Sequence, residues 1–272
     1  MPDLSRCSIH TMTMKPWSLA QTIAGLQRAG VPGITVWRQH LQPYGAEVAG
    51  RMLRASGLTV TALCRGGFFP AKEQVAREAA LADNRRAIDE AAIIGAPMVV
   101  LVCGAVPGMP LTEARQQITD GIAALEPHAR ANRVKLAIEP LHPMYAGDRS
   151  AVNTLAQART ICETINSPWI GIAADVYHIW WDPEVEAELA RAGAGGWLCG
   201  FHVCDWRVET RDLLNDRGLM GDGCIDIPRL RGAAERAGFT GFNEVEIFST
   251  SRWAGDQDVW LDTIVEAYHR HT

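Results

Sequence analysis

VKLAIE (134–139), WIGIAAD (169–175), WLCGFH (197–202) and FNEVE (242–246) are short apolar runs, each closing on a residue that binds cations or protons: Glu139, Asp175, His202 and Glu246. Each run has the length of a strand, and behind each come loop residues and then a helical pattern. Toward the N-terminus the same alternation recurs. Strands are predicted near 6–11, 33–37, 58–64, 97–102, 134–139, 169–175, 197–203 and 242–247. Helices are predicted near 17–29, 44–56, 71–94, 112–132, 150–166, 183–193, 226–238 and 256–270. Gly30, Gly57 and Gly95 stand where three of these helices must stop, since glycine takes the left-handed conformation a helix C-terminus needs. Eight strand–helix units with right-handed crossovers imply a parallel sheet closed on itself, an α/β fold of the (β/α)₈ TIM-barrel type. The 272 residues are close to the roughly 250 such a barrel uses, so a single domain over 1–272 is expected. An open, doubly wound sheet is the competing arrangement. Against it, no GxGxxG or GxxxxGK[ST] follows an early strand.

Composition narrows the function. Apolar residues make up 47% and charged residues 21%, which suits a globular chain with a large core. A formal charge of −5 gives no general attraction for a phosphate backbone or an anionic membrane, so nucleic acid and membrane are not expected partners. MPDLSRCSIHTMTMK at the start lacks the apolar stretch of a signal peptide, and no segment approaches about 18 uninterrupted apolar residues, so a cytoplasmic location is expected. Seven cysteines without a CxxC pair fit reduced thiols better than a disulfide framework.

In a barrel of this kind, strand C-termini and the loops after them form one mouth, so Glu139, Asp175, His202 and Glu246 converge there. Three carboxylates and one imidazole, with no thiolate, suit one divalent cation, with Mn²⁺ first and Mg²⁺, Co²⁺ or Zn²⁺ as alternatives. Taken singly, each residue is as readily an ion pair or a strand-end cap. The longest connection, 205–226, carries Arg207 and Arg211 and reads as a lid or binding loop, with a loose surface excursion as the plainer alternative. A Schiff-base aldolase would need a barrel lysine, but Lys72 and Lys135 start elements away from the mouth and Lys15 reads as solvated. A serine or cysteine hydrolase is not supported, because there is no GxSxG and Cys199 and Cys204 have no evident base.

EPLHP (139–143), the DxxH of 175–178, HVCD (202–205), GDGxID (221–226) and EVEIF (244–248) together resemble the xylose isomerase-like TIM-barrel superfamily. That group includes sugar-phosphate isomerase/epimerase-like proteins, ketose 3-epimerases, 2-keto-myo-inositol isomerase, inosose dehydratase and endonuclease IV. The resemblance spans most of the chain in strand order and is specific in the C-terminal half. It implies that Glu139, Asp175, His202 and Glu246 are the metal ligands, that His178 lines the site, and that the two glutamates double as acid and base. Ketose epimerases carry an arginine a fixed step after the histidine strand; Arg207 is the nearest candidate but lies in a longer insertion, which argues against a simple ketohexose epimerase. The trinuclear-zinc endonuclease pattern is missing too, since Trp37, Cys64 and Cys103 occupy the earlier strand ends.

A cation that chelates a carbonyl and a neighbouring hydroxyl acidifies the adjacent C–H through an enediolate, and a carboxylate then takes the proton. The expected activity is therefore isomerisation or epimerisation of a keto-sugar or keto-inositol. A lyase or dehydratase on a keto-sugar, inosose or keto-glycoside is the main alternative, with His142 or His178 as its acid. A non-catalytic sugar- or metal-binding protein is the alternative of a different class. His178 serves equally as a residue that orients a ligand. Trp181 and Trp206 are the tryptophans expected to cover a sugar ring, and His10 is expected either to bond a hydroxyl or to cap the barrel. Ser249 to Arg252 precede the last helix and could hold a phosphate or merely cap it, and with no glycine-rich phosphate cup a neutral small-molecule carbohydrate is favoured. A homo-oligomer remains an open expectation, because outer helices of such barrels often pair.

Overall fold

The chain begins with β1 (Cys7–His10), α1 (Leu19–Ala29), β2 (Gly33–Trp37), α2 (Arg38–Leu41), α3 (Ala46–Ser56), β3 (Thr59–Gly67) and α4 (Gln74–Ile94). It continues through β4 (Met98–Val102), α5 (Leu111–Asn132), β5 (Lys135–Glu139), α6 (Leu155–Ile165), β6 (Ile170–Asp175), α7 (Val176–Ile179) and α8 (Val185–Ala194). β7 (Leu198–Val203), α9 (Ile227–Arg236), β8 (Asn243–Val245), α10 (Thr250–Trp253) and α11 (Gln257–His271) complete it. The computed structural model describes residues 3–272; Met1 and Pro2, the first two residues of the domain expected over 1–272, lie outside the described residues. The strands form one closed barrel in chain order, all parallel, with β8 pairing back onto β1. This is the (β/α)₈ fold the alternation predicts. Among the described residues no helix is long and apolar enough to cross a membrane.

Local chemistry sets the helix ends. Ser18 and Gln21 form a reciprocal capping box at the start of α1, Asp226 accepts from Arg229 N at α9, and Asp256 caps α11. Gly30, Gly57 and Gly95 end α1, α3 and α4 in the left-handed conformation. α6 starts at Leu155, later than the expected 150. The reason is polar: Asn153 donates to the Leu141 and Ser150 carbonyls, Ala151 N bonds Gly104 O, and Thr154 takes over as the N-cap.

Strand alternation positions the mouth. Successive residues point to opposite faces of a strand, so residues two apart share the barrel interior. On β5, β6 and β7 the residue two before each mouth residue is small: Ala137 before Glu139, Ala173 before Asp175, Gly200 before His202. A Cβ on Gly200 would lie 3.1 Å from that of Ala173. These small residues, with Ala62, Cys64, Met98 and Val100, fill the β3–β6 side of the interior with apolar atoms. The β1, β2, β3 and β8 side is polar instead. Ser8, Thr35 and Thr61 bond one another at 2.7–3.2 Å, and Thr35 and Thr61 both donate to the buried carboxylate of Glu244.

Candidate metal centre

Register brings the chemistry together. Asp175 pairs with His202 across β6 and β7, and His202 with Glu244 across β7 and β8. Glu139 is the last residue of β5, and Glu246 lies one residue past β8, where its N–H still bonds Val203 O at 3.1 Å. One ligand atom each from Glu139, Asp175, His202 and Glu246 lies within 4.8 Å of the others, and all four residues are buried. Two of these atoms lack hydrogen-bond partners although water cannot reach them. Glu139 Oε1 and His202 Nδ1 face each other at 3.0 Å, an ion-pair contact without an aligned hydrogen bond, and His202 Nε2 has no partner either. Buried polar atoms are rarely left unpaired, so orphans in a carboxylate–imidazole set fit a cation ligated in common.

One cation of the chain's own enters the site. Arg217, from the long β7–α9 connection, places Nη1 2.9 Å from both Asp175 Oδ2 and Glu246 Oε2. Its guanidinium lies between the rings of Tyr177 and Phe248, with centroids 4.5 and 4.8 Å away, and its Nη2 donates to His178 Nε2 at 3.3 Å. Burial and the Arg217 charge push His178 well below the ordinary histidine range, so the imidazole is neutral. Burial pushes Asp175 up to about 7 against the pull of Arg217. Burial would raise Glu246 as well, but the charges of His10 and Arg217 outweigh it and hold this carboxyl well below the usual range. His202 is raised to about 10, because the surrounding glutamates outweigh the burial that would lower it.

A family model for the xylose isomerase-like TIM barrel matches residues 23–264. The chain belongs to that family. Within the xylose isomerase-like barrels of known structure, it is 48% identical to the protein SMc04130 of Sinorhizobium meliloti 1021, with 99% of each chain covered and a TM-score of 0.96. The IolI protein with a bound zinc atom is 19% identical, with 97% of this chain and 96% of that one covered and a TM-score of 0.84. The 3-keto-D-glucoside 4-epimerase YcjR of E. coli is 18% identical, with 97% and 98% covered and a TM-score of 0.79. Comparison with curated proteins gives no match.

The xylose isomerase-like mouth encloses a cavity of about 50 Å³, lined in part by Glu139, Glu246, His178, Arg217, Arg65 and Arg149. The remaining residues expected here from sequence lie around this cavity or behind it. His10 sits beside the cluster, with Nδ1 3.1 Å from Glu246 Oε1 and 3.1 Å from Trp37 Nε1. Arg207 and Arg211 both turn to Asp216 within their own loop, at 3.5 and 2.6 Å, and neither lines the cavity. Trp206 stacks on Tyr177 at 4.8 Å, and His142 packs on Trp206 at 4.9 Å, so both stand behind the ring that covers Arg217. Trp181 Nε1 donates to the His178 carbonyl and positions that residue's backbone. Arg252 lies 3.6 Å from Asp222 and over the Trp260 ring. Lys15 is exposed and lies over Trp253.

The long connection is built as a cover. Tyr145 and Tyr177 both donate their hydroxyls to Leu213 O, at 2.7 and 3.0 Å, and Leu214 lines the cavity. Asp205, 1% exposed, organises the rest: Oδ1 accepts from the N–H groups of Trp206 and Ile225, Oδ2 from those of Gly221 and Gly223. A Cβ at position 223 would come within 2.0 Å of Trp206 O, so the second glycine of GDG is required by close approach.

Proposed function

We propose that the protein is a divalent-cation-dependent isomerase or epimerase of a keto-sugar or keto-inositol. The convergence of Glu139, Asp175, His202 and Glu246 within 4.8 Å, with Glu139 Oε1 and His202 Nδ1 left without partners, carries this reading. A cation held by these four supplies Lewis acidity to a substrate carbonyl and its neighbouring hydroxyl, which acidifies the C–H beside them. Glu139 and Glu246 handle the proton. They come from β5 and the end of β8, three strands apart around the barrel, and so approach a substrate from different walls. One removes the proton and the other returns it. Arg217, fixed between Tyr177 and Phe248, presents a positive charge to oxygen as it becomes anionic. His178 accepts from Arg217 and holds its fork in place.

The carboxylate-rich donor set favours Mn²⁺, with Zn²⁺, Mg²⁺ and Co²⁺ as the alternatives to load in parallel. A cytoplasmic enzyme, single-domain over its 272 residues and pairing with itself through outer helices, completes the reading. Elimination from the same scaffold would need an acid at the departing hydroxyl. His178 already uses its Nε2 to accept from Arg217.

The test is mass spectrometry of ketoses, inososes and keto-glycosides incubated in D₂O with Mn²⁺-loaded protein, with Glu246→Gln as the control. Deuterium entering a substrate or its isomer, and absent with Glu246→Gln, is the expected result. Loss of water or an aglycone would make the protein a lyase, and inertness across the panel with binding retained would make it a binding protein.

A further inference from the structure

Two arginines at the mouth form no salt bridge, although Glu139 lines the same cavity. Arg65, near the C-terminal end of β3, and Arg149, on the loop after β5, line the same cavity as Glu139, Glu246 and Arg217. Among the described residues, no carboxylate lies within salt-bridge distance of either guanidinium, and neither donates a side-chain hydrogen bond to the protein. The contrast with the chain's other well-placed arginines is sharp. Arg38 binds Asp83 and Glu90, Arg159 binds Glu163 and Glu188, and Arg217 binds Asp175 and Glu246. Arg65 and Arg149 instead lay their guanidinium groups over aromatic faces, Phe68 at 4.3 Å and Tyr145 at 5.5 Å, which leaves the N–H donors at the guanidinium edge without a protein acceptor. They are also close enough to repel: after burial, the Arg149 charge is the next cause lowering Arg65. Two like charges held together beside a cavity, at a cost in desolvation and repulsion, match the geometry and charge of an oxyanion.

We propose that Arg65 and Arg149 bind an anionic group, a carboxylate or a phosphate, carried by the substrate at a carbon remote from the reacting carbonyl. The substrate class is then an acidic keto-sugar, a keto-aldonate, uronate or sugar phosphate, in place of the neutral carbohydrate that the sequence favours. This deepens the isomerase reading and rests on its placement of the reacting end at Glu139 and Glu246. The guanidinium fork matches either oxyanion bidentately.

The experiment is calorimetric titration of D-fructose, D-fructuronate and D-fructose 6-phosphate into Mn²⁺-loaded protein and into its Arg65→Met and Arg149→Met forms. The three ligands differ at one carbon, which carries a hydroxymethyl, a carboxylate or a phosphate ester. One of the two anions is expected to bind at least about tenfold more tightly than fructose, and each substitution to remove about tenfold of that preference while leaving fructose affinity unchanged. The better anion identifies the group. Thermal unfolding confirms that each variant folds, and Arg149→Met stands in if Arg65→Met does not. Equal affinity for all three, no binding by any, or a preference that survives both substitutions overturns the proposal. Binding is read without turnover, so an anion preference in a protein that exchanges no deuterium would sink the isomerase reading alone. Deuterium exchange that ignores the anion would sink this one alone.

Discussion

Asp205→Ala is the perturbation on which the architecture of the mouth depends most directly. The buried carboxylate of Asp205 accepts four backbone N–H groups at 2.8–3.0 Å, from Trp206, Gly221, Gly223 and Ile225. Its own backbone exchanges two hydrogen bonds with Gly218, the residue after Arg217. Hydrogen bonds to a charged group contribute about 1.5–3 kcal/mol each, and four sharing one acceptor do not add fully, so the loss expected on truncation is about 4 kcal/mol. Asn at this position keeps one accepting oxygen and turns an NH₂ toward two N–H donors, so roughly half that loss is expected. The connection can open without unfolding the barrel, and the loss then appears as local opening. Urea unfolding measures the global part, and amide exchange at Gly221, Gly223 and Ile225 measures the local part. Freed from this anchor, Arg217 loses its position between Tyr177 and Phe248, so substrate affinity falls together with loop protection. If Asp205→Ala stays within about 1 kcal/mol of the parent and those three amides exchange at unchanged rates, the reasoning fails.

Cation binding stabilises the fold by mass action, so Mn²⁺ at a hundredfold excess over its Kd raises stability by about 2.7 kcal/mol. Melting with and without chelator reads this; Glu246→Gln should abolish the shift, and an unshifted parent would show that the cluster binds no metal. Tyr145→Phe and Tyr177→Phe each remove one hydrogen bond to Leu213 O, worth about 1 kcal/mol, and the double variant should expose the amides of 211–215 to exchange. Unchanged exchange there would mean that the cover is held by other contacts. Glu188 joins α6 to α8 through Arg159, with Arg191 beside it, and the Arg159 hydrogen bond holds its pKa below the usual value despite burial. A depressed folded pKa means that this stabilisation is present above the unfolded glutamate pKa and is lost as pH falls through the folded value. Glu188→Gln should therefore be less stable by about 1–2 kcal/mol at pH 7, with the gap closing below about pH 4; a gap independent of pH would refute the assignment.

What could be read from sequence, and what could not, divides along the barrel's geometry. A strand's C-terminal end faces the mouth wherever the strand sits, so Glu139, Asp175, His202 and Glu246 could be placed before any coordinates. Glu244 was legible on the same rule, because EVE puts both glutamates inward, yet only the neighbouring hydroxyls of Thr35 and Thr61 show that it belongs to the layer below. Arg217 was not legible. It lies fifteen residues beyond His202 in the longest connection, among arginines of equal standing, and nothing local says that Arg207 and Arg211 are claimed by Asp216 while Arg217 folds back into the barrel. The motif halves HVCD and GDG explain that choice only when joined, since Asp205 in one accepts the amides of the other. Trp181 and Trp206 show a similar limit: position near a loop end does not say which side of Tyr177 an aromatic ring takes. Charge closes the argument. Glu139, Asp175, Glu244 and Glu246 are four carboxylates buried on β5, β6 and around the end of β8; Arg217 reaches two of them, and His10 and His202 stand beside Glu246 and Glu139. Burying that much like charge is costly unless further positive charge enters, and the orphaned Oε1 of Glu139, beside the orphaned Nδ1 of His202, marks where it enters.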